Sequence, residues 1–224
     1  MLSVNGFTEQ TKSILIKYAD IIQATIFNNE NIGTAAAINE IWKHRKPNEN
    51  AIKTDDDVVI NPSKVFWWKN WVDVMEALIE SDPIIGQVGL KRKDLIESPT
   101  NENEFYRSVL SNVTTKEFGT IQIETCNHIM GTCVMHSAKL LNDIGYMWQP
   151  KIYGFDDTFM SLRSQLAGYK NCFIPAVDID HIDEGATPYQ QWKQDHAGEQ
   201  WELYHAAVRD FNSGDKSVYF NPFE

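Results

Sequence analysis

Apolar and polar positions follow one another in short blocks of changing period along the first sixty residues. Residues 1–7 (MLSVNGF) form a brief apolar run ending at Gly6, which predicts a strand. Thr8 or Thr11 then caps a helix reaching about residue 19, with Ile14, Leu15 and Tyr18 at helical spacing. Residues 21–27 are β-branched and apolar and predict a second strand, closed by the loop composition Asn28-Asn29-Glu30-Asn31. Gly33 opens a small-residue helix running to about residue 44. The KPNEN stretch at 46–50 breaks it, and 51–54 predict a third strand. Strand, helix, strand, helix, strand argues for an α/β layer with a largely parallel sheet. Ligands of such sheets bind beyond the carboxyl ends of the strands. The loops at 5–8, 28–33 and 55–57 all lie at such ends.

The remaining pattern predicts a helix over 63–81, opened by Asn61-Pro62 and rich in aromatic residues that suit a core. A strand is expected over 84–90. Residues 91–118 are polar and weakly patterned, which predicts a long loop with a helical piece around 104–111, the kind of segment that serves as a lid or binding loop. Strands are expected over 120–126 and 131–136, and helices over 139–144 and 156–167, the second ended by Gly168. A strand region over 169–179 leads to His181. From residue 201 onward, Trp201, Tyr204, His205, Val208 and Phe211 give an amphipathic helix.

Composition narrows the choice of partner. The chain has 224 residues, 42% hydrophobic, enough for one well-filled core with a small appendage. A net charge of −11 gives no global pull toward nucleic acid or anionic membrane. The clusters His44-Arg45-Lys46 and Lys91-Arg92-Lys93 are expected to be solvated surface. Three cysteines (Cys126, Cys133, Cys172) without a C-x-x-C pair argue against a disulfide framework or structural zinc, and for reduced, packed thiols. No apolar stretch approaches the ~18–20 residues of a membrane span. The expectation is a soluble cytoplasmic protein.

Three acidic or histidine elements carry the candidate chemistry: Asp55-Asp56-Asp57, Asp156-Asp157 and His181. Stacked carboxylates repel each other unless a cation sits among them. One or two carboxylates with an imidazole suit Mn²⁺ or Mg²⁺, a diphosphate completing the shell. A further carboxylate can act as general base toward an acceptor hydroxyl. A solvated acidic turn is the plain alternative for the triplet alone.

Several segments together resemble the family 2 glycosyltransferases of the GT-A fold. The stretch FNNENIGTAAAIN (27–39) is similar to that family's N-x-G-x-(x)-A-x-N segment, and Asp55-Asp56-Asp57 to its D-x-D motif. GTCVMH (131–136) resembles the donor-sugar loop, and LNDIGYM (141–147) the segment that follows it. YGFDDTFMSLR (153–163) with AGY (167–169) resembles the E-D…R…G-y block, and His181 falls where the family places a late metal-binding histidine. The resemblance covers residues 1–183 as a GT-A catalytic domain, a Rossmann-like α/β fold with a mixed, mostly parallel sheet flanked by helices. Residues 184–224 are then a C-terminal aromatic helical extension packed on it.

The resemblance implies transfer of a hexosyl or related group from a nucleotide-sugar donor, with UDP-sugar expected, to an acceptor hydroxyl. It implies a metal held by Asp57 and His181 with Asp55, and donor contacts from Asn5, Asn29, Asn31, Gly33, Asp55, Asp56 and Thr132. Asp157, with Asp156, would be the catalytic base of an inverting single displacement. The acceptor stays open among glycan, lipid-linked glycan, protein and modified nucleic acid. Two departures stand out. Only one strand–helix unit precedes the N-x-G segment where the family has two, so residues 1–7 are expected to serve as the central strand of a compressed sheet. Asp156 replaces the usual Glu. Arg163 is expected to hold the Asp156–Asp157 loop by an ion pair, and His128, His136 and His196 to be packing or surface residues. Three other readings remain: a phosphatase of the haloacid dehalogenase type using Asp55 and Asp57, a non-catalytic carbohydrate- or nucleotide-binding module of the same fold, and a generic α/β domain with unrelated acidic loops.

Overall fold

The computed structural model describes residues 1–61, 70–93, 108–149, 151–182, 188–198 and 201–213. It opens with β1 (Leu2–Asn5), α1 (Glu9–Lys17), β2 (Thr25–Asn28), α2 (Thr34–Trp42) and β3 (Ala51–Thr54). This is the alternation that the hydrophobic pattern predicts. Thr8 caps α1: its hydroxyl accepts from the Thr11 N–H at 3.2 Å, and the Thr11 hydroxyl accepts from the Thr8 N–H at 3.4 Å. There follow β4 (Val58–Asn61), α3 (Trp71–Ser81), β5 (Ile85–Arg92), β6 (Ser108–Thr115), β7 (Gly119–Cys126) and β8 (Cys133–His136). The chain continues through α4 (Ala138–Ile144), α5 (Asp156–Leu166), β9 (Lys170–His181), α6 (Pro188–Gly198) and α7 (Trp201–Ser213).

The strands lie in two sheets. β1 and β2 pair in parallel with each other alone. The main sheet runs β3-β8-β5-β9-β7-β6, with β4 on β9. Only β5–β9 is parallel there; the pairs β3–β8, β5–β8, β7–β9, β6–β7 and β4–β9 are antiparallel. The largely parallel sheet suggested by the first fifty residues therefore holds for the opening unit and not for the rest. Short loops such as the three residues between β6 and β7 can join only antiparallel neighbours. The expectation that residues 1–7 form a central strand is also corrected, because β1 bonds to β2 and the main sheet starts at β3.

A second correction concerns residues 108–111. They belong to β6, not to a helical piece, while 104–107 lie outside the described residues, as does 63–69 of the expected long helix. β6 is an edge strand whose side chains are mostly exposed, so it lacks the alternation that would have announced it. Its pairing with β7 through a turn with Gly119 at φ 68° fixes it instead.

Helices cover both faces of the main sheet. Val74, Met75 and Leu78 of α3 pack with Val88 and Leu90 of β5, Met135 of β8 and Ile174 of β9. On the other side Trp42 of α2, Leu140 and Leu141 of α4 and Met160 of α5 form a second cluster. β8 shows the division within four residues: Cys133 and Met135 belong to the first cluster, while His136 turns its ring to Trp42 at 4.9 Å. A buried polar network sets α5 on the sheet. Gln87 donates to the Asn171 side chain at 3.2 Å and to the Met160 carbonyl at 3.3 Å, and the Ser164 hydroxyl donates to Asn171 at 2.7 Å. Because these groups are buried, only one docking of α5 satisfies them. Among the described residues no helix is long and apolar enough to cross a membrane, and the three cysteines are free and buried.

Candidate active site

β3 ends at Thr54, and the chain turns through Asp55, Asp56 and Asp57 into β4. The turn is pinned on both sides. The Asp55 N–H donates to the Thr132 carbonyl at 2.9 Å, and the Ile182 N–H donates to the Asp57 carbonyl at 2.7 Å. The β4–β9 register sets Val58 opposite His181, which brings the His181 Nε2 within 3.3 Å of Asp57 Oδ2. The second atom of each group, Asp57 Oδ1 and His181 Nδ1, is buried and has no hydrogen-bond partner among the described residues. Orphaned carboxylate and imidazole atoms at a cleft wall call for a ligand, since unpaired buried polar groups are costly.

The second acidic element starts α5. Gly154 (φ 88°) and Phe155 (φ 62°) take left-handed conformations in succession, a strained turn for a non-glycine residue. Stacking of the Phe155 ring on Tyr204 of α7, 4.8 Å between centroids, holds it there. The turn presents Asp156 and Asp157 at the helix N-terminus, where negative charge is favoured.

The two carboxylates differ sharply. Asp157 accepts from the Gly131 N–H at 2.9 Å and from the Thr158 N–H at 2.7 Å, with His128 Nε2 at 3.7 Å. Burial pushes its carboxyl upward, but the His128 ring, the Gly131 N–H and Lys53 outweigh burial and hold it well below the usual range. Asp156 has burial and the Asp157 charge acting together, and Lys53 offsets them only in part, so it is pushed up to about 6. Gly131 makes the close approach possible: a Cβ there would lie 3.0 Å from Asp157 Cβ and 3.2 Å from Lys53 Nζ.

Both elements open on one polar cleft of about 420 Å³, lined by Lys53, Asp55, Asp56, Asp57, Thr132, Asp156, Asp157 and His181. Thr34, Arg92, Met130, Gly131, Tyr153–Phe155, Gln190 and Lys193 complete the lining. A separate depression of about 300 Å³ between α1 and β2 is lined mainly by Leu15, Ile16, Ile22 and Phe27 and holds no such chemistry.

The donor contacts expected from the first two loops behave otherwise. Asn5 donates to the Asn31 side chain at 2.6 Å and accepts from the Ile32 N–H at 2.9 Å, so these side chains brace the 28–33 loop. Asn5, Asn29, Asn31 and Gly33 do not line the cleft, although the neighbouring Thr34 does.

Several site residues escape a motif-based reading. Lys53 is one that alternation could have found, since residues two apart on a strand share a face and Asp55 follows it by two. His128, expected to be packing or surface, stands beside Asp157. Arg92 lines the cleft and Lys91 pairs with Glu124 at 2.6 Å, so of that basic cluster only Lys93 is exposed surface. Arg163 is 1% exposed, and its guanidinium donates to the carbonyls of Ile144 and Tyr146 at the end of α4.

No protein-family model matches the chain, and no curated protein sequence does. Solved structures do match its architecture. A mannosyltransferase from Pyrobaculum calidifontis, PcManGT in complex with GDP-Man and Mn²⁺, superposes with a TM-score of 0.62 at 18% identity. The match covers 93% of this chain and 55% of that one. GalNAc-T7, with UDP, GalNAc and Mn²⁺, matches with a TM-score of 0.55 at 14% identity, covering 84% of this chain and 39% of that one. The chain has the GT-A glycosyltransferase fold. It spans about half or less of the length of these two structural neighbours.

Both of these neighbours hold Mn²⁺, and the side chains of the cleft can be compared with what a divalent metal needs. Among the described residues no three histidine, cysteine or acidic side chains form a complete cage. One carboxylate and one imidazole with orphaned atoms match a site that a diphosphate and water complete. Asp57 and His181 are the residues that fit.

Proposed function

We propose that this chain is a metal-dependent glycosyltransferase, moving a hexosyl or related group from a nucleoside diphosphate sugar to an acceptor hydroxyl. One juxtaposition supports the reading. The Asp57–His181 pair with its orphaned atoms and the Asp156–Asp157 helix start open on the same polar cleft, in the GT-A fold. In the proposed reaction the acceptor oxygen attacks the anomeric carbon as the bond from that carbon to the diphosphate oxygen breaks. Attack on the face opposite the diphosphate inverts the anomeric carbon in a single displacement, and the acceptor proton passes to a carboxylate. Asp57 and His181 would hold Mn²⁺ or Mg²⁺, which would screen the charge left on the departing diphosphate. Asp156 suits the base better than Asp157. Its higher affinity for a proton matches the task, whereas both Asp157 oxygens already accept backbone N–H groups. Asp157 then orients the Gly131 loop. Arg92 and Lys193 add positive charge to the wall that faces the donor.

A thermal-shift panel of nucleoside diphosphates and nucleotide sugars, with and without Mn²⁺, tests the reading. UDP and UDP-sugars come first and the GDP series second. A metal-dependent shift with one nucleotide is expected. By calorimetry Asp57→Ala should weaken nucleotide diphosphate binding in Mn²⁺ at least tenfold, and unchanged affinity removes the metal assignment. Release of phosphate from simple monoesters, without a nucleotide-dependent shift, turns the reading to the phosphatase.

A further inference from the structure

Lys53 is a cation embedded in an acidic site. Its side chain is 10% exposed, at the floor of the cleft. The ammonium donates to Asp55 Oδ1 and to the Gly131 carbonyl. Gly131 in turn donates its N–H to Asp157. One ammonium thus joins three of the segments that line the cleft: the end of β3, the loop before β8 and, through Gly131, the start of α5. Its charge also acts on Asp156, which has no salt bridge of its own among the described residues. An ammonium has three N–H donors, and two are taken by these oxygens.

The geometry points to Lys53 as a positioning residue that stands where a second cation would otherwise be drawn. It commits Asp55 to an ion pair and leaves the divalent metal to Asp57 and His181. This inference rests on the proposed metal-dependent transfer and deepens it. Three carboxylates, Asp55, Asp156 and Asp157, lie within reach of one fixed positive charge. Asp57, by contrast, is matched among the described residues with a histidine ring alone, which is the natural state of a ligand pair awaiting a metal. A lysine in this place is a compact point charge that cannot be exchanged with solvent cations. The acidic cleft is therefore part-neutralised before any donor or metal arrives. Among the described residues the remaining ammonium N–H has no acceptor, so it would be available to a donor oxygen entering the cleft, and Lys53 would order the donor beside the metal and not through it.

Mn²⁺ titration of the full chain, read by calorimetry and by the electron paramagnetic resonance of free Mn²⁺, tests this with and without UDP and GDP. Wild type should bind one Mn²⁺ in the presence of the nucleotide it prefers. Asp55→Asn should leave that affinity within about twofold, whereas Asp57→Asn should lower it at least tenfold. Lys53→Met keeps the length of the side chain and removes its charge. It should take up Mn²⁺ without nucleotide, as a second ion or with at least tenfold tighter binding, and Lys53→Arg should restore the wild-type stoichiometry. Loss of Mn²⁺ affinity in Asp55→Asn as large as in Asp57→Asn overturns the assignment. So does a folded Lys53→Met with wild-type Mn²⁺ behaviour. If Lys53→Met does not fold, the comparison of Asp55→Asn with Asp57→Asn decides. Failure of wild type to bind Mn²⁺ with any nucleotide instead overturns the metal-dependent reading on which this one rests.

Discussion

Asp156→Asn removes one negative charge from the cleft and changes shape little. Asp156 has its pKa raised from 3.8 to about 6 by burial first and by the Asp157 charge second. A difference of about two units, at ~1.4 kcal/mol each, makes the ionised carboxyl cost the fold up to about 3 kcal/mol. Partial exposure of the side chain brings the expected figure to roughly 1–3 kcal/mol. The direction with pH follows from the raised value. Below about pH 4 the group is protonated in both states and costs nothing. Between pH 4 and 6 the unfolded chain ionises first, so stability falls, and above pH 6 the full cost is present. The neutral Asn variant avoids it. Thermal unfolding at pH 7.5 should therefore occur roughly 3–10 °C higher in Asp156→Asn than in wild type, and the gap should close toward pH 4. Transfer, assayed with the donor that the nucleotide panel selects, should fall by about 10²–10⁴-fold. Asp157→Asn should move stability the other way at pH 7.5, because its carboxylate accepts two backbone N–H groups and is held low. An Asp156→Asn protein no more stable than wild type at pH 7.5, or a gap that persists at pH 4, refutes the burial argument. Undiminished transfer refutes the base.

Two further substitutions probe the scaffold. Gly131→Ala places a methyl group 3.0 Å from Asp157 Cβ and 3.2 Å from Lys53 Nζ. It should cost about 1–3 kcal/mol in urea unfolding and lower transfer, because the backbone that both acids lean on must shift. Met160→Ala empties a fully buried position in α5. It should lower stability by about 2–5 kcal/mol while Mn²⁺-dependent nucleotide binding by the folded fraction survives, since the cavity lies behind the cleft and not in it.

The opening strand–helix alternation, the Thr8 cap, the α5 and β9 segments and the positions of Asp55, Asp57, Asp156, Asp157 and His181 were legible in the chain. Each is written locally: a β-branched run, a hydroxyl three residues from a free N–H, acidic pairs at element ends. Their order also carried the resemblance that led to the fold. Edge strand β6 was not legible, because a strand with both faces exposed has no alternation to read, and its partner β7 decides it. The pairing of β1 was not legible either, since a four-residue strand carries no label for its neighbour.

What the sequence by itself determined is the set of chemical groups and the local elements that bear them. Tertiary structure decided which groups share a cleft and in what state. The β4–β9 register brings His181 to Asp57, 124 positions earlier in the chain. The docking of α5 through Gln87 and Asn171 brings Asp157 to Gly131 and His128. Only that assembly gives two adjacent aspartates opposite proton affinities, and only it makes Lys53 the cation that three carboxylates share. The physical reason is that charge interactions and desolvation act through space and depend on burial. Neither is encoded in spacing along a chain.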